Sequence, residues 1–374
     1  KKKLASGLVT LGVRHFEFFA PNVNLAEKND FLELQPFIRG LTSDKISLLA
    51  HVRCHPYDIA QAIAAGFNGL NMYMGIAERA QKYSHGYTFE HILEMLQKTM
   101  DSVRSEYPNM YLRFSVEDCF RTPLTDIYKT YDAIYPYVQT FGMPDTVGVA
   151  TPKTVAERVQ ALKKRYPKAQ LECHFHNDRG LSLINALTAL QNGAEYIDTS
   201  IWGMAERSGI TSITGILLNL YKELPEACAK YHLEHSYPLN VLMASILNLH
   251  VPYNEPVSLT NRTHTAGVHQ KAVLHDHSLY EAHELQKFGV TTNQLLLGPL
   301  SGWNLVYYYL REIEYFDVTP DEAKIITRAF KSQVERIGSI MKPEVLLHEV
   351  LKGFTLKKLH TKEAIVERTE NLGQ

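Results

Sequence analysis

A barrel of eight alternating strands and helices, followed by a helical region, is the fold class this sequence predicts. Three observations predict it. Short apolar strand-like runs recur through the first 200 residues. A helical pattern follows each run before the next begins. The residues with chemical potential, Glu17, His51, Ser115, Glu117, Thr146, His174 and His176, gather at the C-terminal ends of those runs, where barrel active sites lie.

The elements follow in order. The chain opens inside a helical pattern, with Leu4, Leu8 and Leu11 in periodic positions and Gly12 as the stop. The strand candidates are His15–Ala20, Ile46–Val52, Leu70–Met74, Met110–Glu117, Tyr137–Gly142, Gln170–His176 and Tyr196–Ile201. Seven are countable, so the eighth barrel strand is expected just before Lys1, an open seven-stranded sheet being the alternative. Thr154-x-x-Glu157 reads as a capping box that starts a helix with Val155, Val159 and Leu162 along one face. Another helix runs from about Leu181 to the stop at Asn192-Gly193. After about Tyr221 the rhythm ends, and Leu224–Gln374 reads as helical with loops near Val251–Val268 and Thr291–Gly302. The expected division is a catalytic barrel over 1–230 and a helical region over 231–374. The three tyrosines Tyr307 to Tyr309 read as a packing face.

Composition narrows the function. With 374 residues, 45% hydrophobic and 21% charged, the chain can bury a sizeable core. A net charge of −1 argues against an electrostatically driven nucleic-acid or membrane partner. The four cysteines show no paired spacing, as expected of reduced thiols in the cytoplasm. No signal peptide and no apolar run long enough for a membrane span is visible.

The most informative stretch is His174-Phe-His-Asn-Asp178. On a strand, residues i and i+2 share a face, so both imidazoles can reach one point, a plausible divalent-metal site once a carboxylate joins them. By the same period Arg113, Ser115 and Glu117 share a face, and Glu117 in a barrel mouth is a candidate general base. The loop Gly203–Gly209 could bring backbone N–H groups to a phosphate or carboxylate.

Together with His51-Val-Arg-Cys-His55, Lys82-Tyr-Ser-His-Gly86, Asp145-Thr-Val-Gly148, Gly203-Met-Ala-Glu-Arg-Ser-Gly209 and His264-Thr-Ala-Gly-Val-His269, these blocks resemble the metal-dependent aldolase-type barrels. That family includes homocitrate, 2-isopropylmalate and citramalate synthases, and the His51, Lys82 and Arg113 blocks are most similar to homocitrate synthase. The resemblance implies an acyltransferase: acetyl-CoA adds to the ketone of a 2-oxo acid, most simply 2-oxoglutarate, and thioester hydrolysis yields homocitrate and CoA, as in lysine biosynthesis. It implies a divalent metal (Mg²⁺, Mn²⁺ or Zn²⁺) on His174 and His176, with a third, carboxylate ligand from the barrel strand expected before Lys1, outside this sequence. It implies Glu117, His269 and Tyr280 as catalytic residues, the last two delivered by a partner subunit, hence a homodimer with a swapped C-terminal region. It implies substrate-binding roles for Glu17, His51, Arg113, Ser115 and Thr146.

One position departs from the pattern. Homocitrate synthases place an arginine before Lys-Tyr-Ser-His-Gly for the distal carboxylate of 2-oxoglutarate, and here it is Gln81. An amide cannot replace a bidentate guanidinium at equal strength, which keeps oxaloacetate, pyruvate and 2-oxoisovalerate open as substrates. A leucine-sensing C-terminal domain is not expected. A carbon–carbon lyase on the same barrel and a non-catalytic metal or acyl-CoA binding protein are the readings from other classes. The Leu300-Ser-Gly-Trp-Asn304 segment favours a synthase over the lyase.

Overall fold

The structure, a computed structural model, describes residues 1–281, 284–337 and 342–359. It contains two compact units, the first over 1–257 with 287–289 and the second over 258–286 with 290–374. The first unit therefore runs past the boundary expected near residue 230. Its extension is the helix Ser236–Leu247, apolar on most sides, which packs on the opening helix Lys2–Leu11. A Cβ on Gly7 would come within 2.9 Å of Leu239 Cδ1, so the glycine sets how closely the two helices approach.

Seven strands form one parallel sheet in sequential order: β1 His15–Phe19, β2 Ser47–Arg53, β3 Gly69–Gly75, β4 Tyr111–Glu117, β5 Thr140–Asp145, β6 Gln170–Phe175 and β7 Tyr196–Ile197. Sequential order with a helix after each strand is the barrel's winding rule. The sheet curls enough for its two edge strands to meet across the interior: the rings of His15 on β1 and Tyr196 on β7 lie 5.1 Å apart. Outward-facing Leu48, Leu70, Phe114, Phe141 and Leu171 are fully buried under the helices. The interior is polar instead, and that choice of side chains makes the site.

Most strands fall within a residue or two of the sequence expectation. Two do not. β5 begins at Thr140, because Val138 and Gln139 belong to the turn that leads in. β7 stops at Ile197 and gives way to a short helical turn over Ile201–Gly203. The helix expected at Thr154 begins at Pro152, with Thr151 as its N-cap: Thr151 Oγ1 accepts the Thr154 N–H, and Thr154 Oγ1 accepts the Thr151 N–H. Proline at the first helical position needs no N–H partner, so the helix starts earlier than the Thr-x-x-Glu pattern suggests.

The second unit is largely helical, as expected. Pro320–Ile337 turns Ala323, Ile326, Thr327 and Phe330 inward, an i, i+3, i+4, i+7 stripe, against Leu305, Val306, Leu310, Leu346 and Leu347. Tyr307 and Tyr309 pack on this core, while Tyr308 is exposed. No helix among the described residues is long and apolar enough to cross a membrane.

Candidate active site

The strand register stacks polar residues in rows across the barrel interior. One row joins His51, Asn71, Arg113, Thr140 and Gln170; the next joins Tyr73, Ser115, Gly142 and Glu172; Gly75 faces Glu117. Gly142 is a requirement of that register. A Cβ there would sit 1.9 Å from Ser115 Oγ and 3.0 Å from Glu172 Oε2. Gly75 serves Glu117 in the same way, since its Cβ would come within 3.0 Å of Glu117 Oε2.

Around β1 to β4 the residues expected to bind substrate form one network. Glu17 Oε1 accepts from Asn71 Nδ2 at 3.0 Å and pairs with His51 Nδ1 at 3.0 Å. Ser115 Oγ donates to Asn71 Oδ1 at 3.1 Å, and the His51 ring stacks on Tyr73 at 4.4 Å. Arg113, 6% exposed, pairs with Glu17, with Asp198 at 3.3 Å and with Glu172 at 3.8 Å. Burial alone would lower the guanidinium pKa, but the three carboxylates override it and raise it. Arg113 thus lies beneath the mouth with its charge answered by protein carboxylates.

Glu117 closes β4 at the rim. Burial pushes its carboxyl above the ordinary glutamate value and Asp118 adds to this, while His51 and His85 pull it back. His85, at the end of the Lys82–Gly86 block, forms a clip beside it. Its Nε2 donates to the Gly75 carbonyl at 2.8 Å and its Nδ1 accepts the Tyr87 N–H at 3.1 Å. Gln81 spends its amide on the Ile76 carbonyl at 2.7 Å, and Arg79 is exposed.

Two strands along the sheet, at the end of β6, His174 and His176 present their rings 4.8 Å apart. Each is held through Nδ1: His174 by Asp198 Oδ2 at 3.5 Å, His176 by the Gly209 carbonyl at 3.2 Å. That leaves both Nε2 atoms for a ligand, the arrangement in which outer partners orient metal-binding imidazoles. Burial, followed by His174 and Arg207, lowers the His176 pKa, which favours the neutral ring that metal binding requires. The two rings fit a divalent ion as part of its coordination. Among the described residues no group of three or more His, Cys, Asp or Glu side chains converges to complete it.

Thr146 Oγ1 accepts the Asp118 N–H at 2.8 Å, and its carbonyl accepts from Arg207 at 2.8 Å. Arg207 also grips Asp178 at 2.8 and 3.0 Å, stapling the Gly203–Gly209 loop to the strand ends. The loop uses much of its own donor set. Gly203, Met204, Gly209 and Ile210 all give their N–H groups to neighbouring carbonyls, so an open row of amides for an anion is not what those positions offer. In the second unit, His269 and Tyr280 stack with ring centres 4.0 Å apart, both exposed.

Sequence reasoning missed Asn71, Asp198 and the two interior glycines. Asn71 had a signal, a lone amide inside the otherwise apolar strand β3. Asp198 had only its place two residues after Tyr196, on the same side of the chain.

The profile of the HMGL-like family matches residues 1–242, and that of the homocitrate synthase post-HMGL domain matches residues 257–337. The cytosolic isozyme of homocitrate synthase from Saccharomyces cerevisiae is 32% identical over 373 residues, covering 96% of this chain and 85% of that protein. The chain belongs to the homocitrate synthase family. The chain is less similar to the 2-isopropylmalate synthase of Ruminiclostridium cellulolyticum, at 27% identity over 90% of this chain and 67% of that protein. The HMG-CoA lyase of Bacillus subtilis has the same barrel fold, with a TM-score of 0.55 and 20% identity over 67% of this chain and 87% of that one.

Proposed function

We propose that this protein condenses acetyl-CoA with 2-oxoglutarate and releases homocitrate and CoA, in a site built at the C-terminal mouth of the barrel. The observation that carries the reading is the placement, on one mouth, of the Glu117 carboxyl, pushed upward by burial, at the end of β4 and of the neighbouring His174 and His176 rings at the end of β6, in a chain of this family. His174 and His176 would hold a divalent cation, which when bound polarises the 2-oxo group as a Lewis acid.

The chain's own residues do the rest. Glu117, whose carboxyl lies nearer neutrality than a solvated glutamate, takes a proton from the acetyl methyl group, and the resulting carbon nucleophile adds to the ketone. Ser115, Asn71 and His51 line the wall beside the oxo acid, and Thr146 keeps its hydroxyl proton free for a carboxylate oxygen. Arg113 and Glu17 hold that wall in register. His269 and Tyr280 handle the proton at the new hydroxyl oxygen and at the thioester during hydrolysis, reaching the mouth from a partner subunit in a homodimer. Four buried thiols accord with a reducing compartment, the cytoplasm.

Gln81 favours a second reading, a synthase for another 2-oxo acid, because its amide is committed to the Ile76 carbonyl. Thiol release separates the two. With acetyl-CoA, Mg²⁺, Mn²⁺ or Zn²⁺ and a panel of 2-oxo acids, CoA should appear fastest with 2-oxoglutarate. Release with pyruvate, oxaloacetate or 2-oxoisovalerate instead would establish the second reading, and release with none would leave a binding protein.

A further inference from the structure

His269 and Tyr280 lie eleven positions apart in the sequence, on the helix Gly267–His275 and just after a short turn, yet their rings stack. What holds the two segments together is buried directly beneath them. Gln270, next to His269 and fully buried, donates Nε2 to the His264 carbonyl at 3.0 Å and to the Leu296 carbonyl at 2.7 Å. Glu281, next to Tyr280, accepts from His264 Nε2 at 3.2 Å through one oxygen and from Arg262 Nε at 2.8 Å through the other. Arg262 is fixed in turn on the Val290 carbonyl at 2.7 Å. His264 itself is 8% exposed and locked in a strand pair with Gln294–Leu295, its carbonyl also taking the Leu296 N–H at 3.0 Å.

We propose that His264 is a positioning residue for the His269–Tyr280 pair, fixing one ring's segment through its carbonyl and the other's through its imidazole. The proposal rests on the reading of that pair as the proton-handling residues. Each exposed ring is followed in sequence by a buried polar side chain, and both of those side chains end on the same residue. Directional bonds of this kind set orientation, whereas an apolar side chain of equal volume fills the space and sets none. Reacting groups tolerate little misplacement: an error of about 1 Å can cost about 100-fold in rate.

The test uses the full-length enzyme and a double-mutant cycle. His264→Ala should lower kcat by about 100-fold while the KM for acetyl-CoA changes less than about twofold, and His264→Gln, whose amide reaches Glu281, should recover most of the loss. In a Tyr280→Phe background the same His264→Ala change should cost less than about twofold, because the imidazole it removes acts through Glu281 on Tyr280, while the backbone carbonyl that holds Gln270 stays in place. Additive losses in that cycle, with Tyr280→Phe alone strongly impaired, overturn the positioning role and leave the Tyr280 assignment standing. An undiminished kcat in Tyr280→Phe overturns the assignment itself and the proposal with it. If His264→Ala does not fold, Glu281→Gln carries the same cycle, since it keeps the side-chain shape and weakens both of its pairs.

Discussion

At the scale of single residues, the site depends on what surrounds Glu117 more than on the carboxyl itself. Its burial, with Asp118 beside it, raises the pKa, and a base works only as the carboxylate. The acidic limb of kcat/KM should therefore lie above the ordinary glutamate value, with rate rising as pH rises through it. Glu117→Gln should abolish that limb and cut turnover by about 100- to 10,000-fold while metal content stays intact. Metal loss in that variant would assign Glu117 a ligand role instead. Asp58 offers a second pH dependence with no tie to catalysis. Arg53 grips it at 2.7 and 2.9 Å and Asn22 at 2.8 Å, and the Arg53 hydrogen bonds above all hold its carboxyl below the ordinary value. A depressed carboxyl pKa stabilises the fold above the unfolded-state pKa and loses that contribution as pH falls through the folded-state value. Urea melts should show Asp58→Asn less stable than the parent at pH 7, with the gap closing as the solution is acidified past the usual aspartate range. A gap that does not depend on pH would refute the charge-based account.

At the scale of elements, the loop from Gly203 to Gly209 positions His176. Gly209 takes φ +88°, its added Cβ would meet the Gly203 carbonyl oxygen at 2.2 Å, and its own carbonyl receives both His176 Nδ1 and the Asn177 N–H. Gly209→Ala combines left-handed strain of about 1–3 kcal/mol with a backbone clash, and should reduce both thermal stability and bound divalent metal. Gly180→Ala is the control. It shares a positive φ of 70° but a Cβ there meets nothing within 4 Å, so it should lose some stability and keep its metal. Equal metal loss in both would mean the loop's grip on His176 is not what organises the pair of rings.

At the scale of the whole molecule, the proposed dimer makes a prediction about mixtures. If His269 and Tyr280 serve the partner's barrel, Glu117→Gln and His269→Ala subunits complement each other. Co-expressed in equal amounts, half the dimers are mixed and each mixed dimer keeps one intact site, so activity should recover to about a quarter of wild type. No recovery, with mixed dimers demonstrated by differential tags, would mean that each chain completes its own site.

Much was legible in the sequence because it is local or periodic. Apolar runs at strand spacing, helix stops such as Gly12 and Asn192-Gly193, and the i, i+2 pairing of His174 with His176 follow from backbone geometry that every chain obeys. The barrel winding and the strand-end placement of Glu117, His174 and His176 could be read from that rhythm, whereas the roles expected of Glu17, His51, Thr146, His269 and Tyr280 came from the family resemblance. Register could not. Whether Ser115 faces Gly142, whether Asn71 reaches both Glu17 and Ser115, and whether Asp198 or Gly209 holds a histidine's second nitrogen depend on rows of residues far apart in sequence. Those rows are set by the stagger of neighbouring strands and by burial, and neither quantity is written in any one segment. The same holds for His264, whose two bonds lead to residues whose own neighbours carry the exposed rings. Composition and period chose the scaffold and the chemistry. Only the folded packing decided which groups are paired, which are left for a ligand, and which pKa values move.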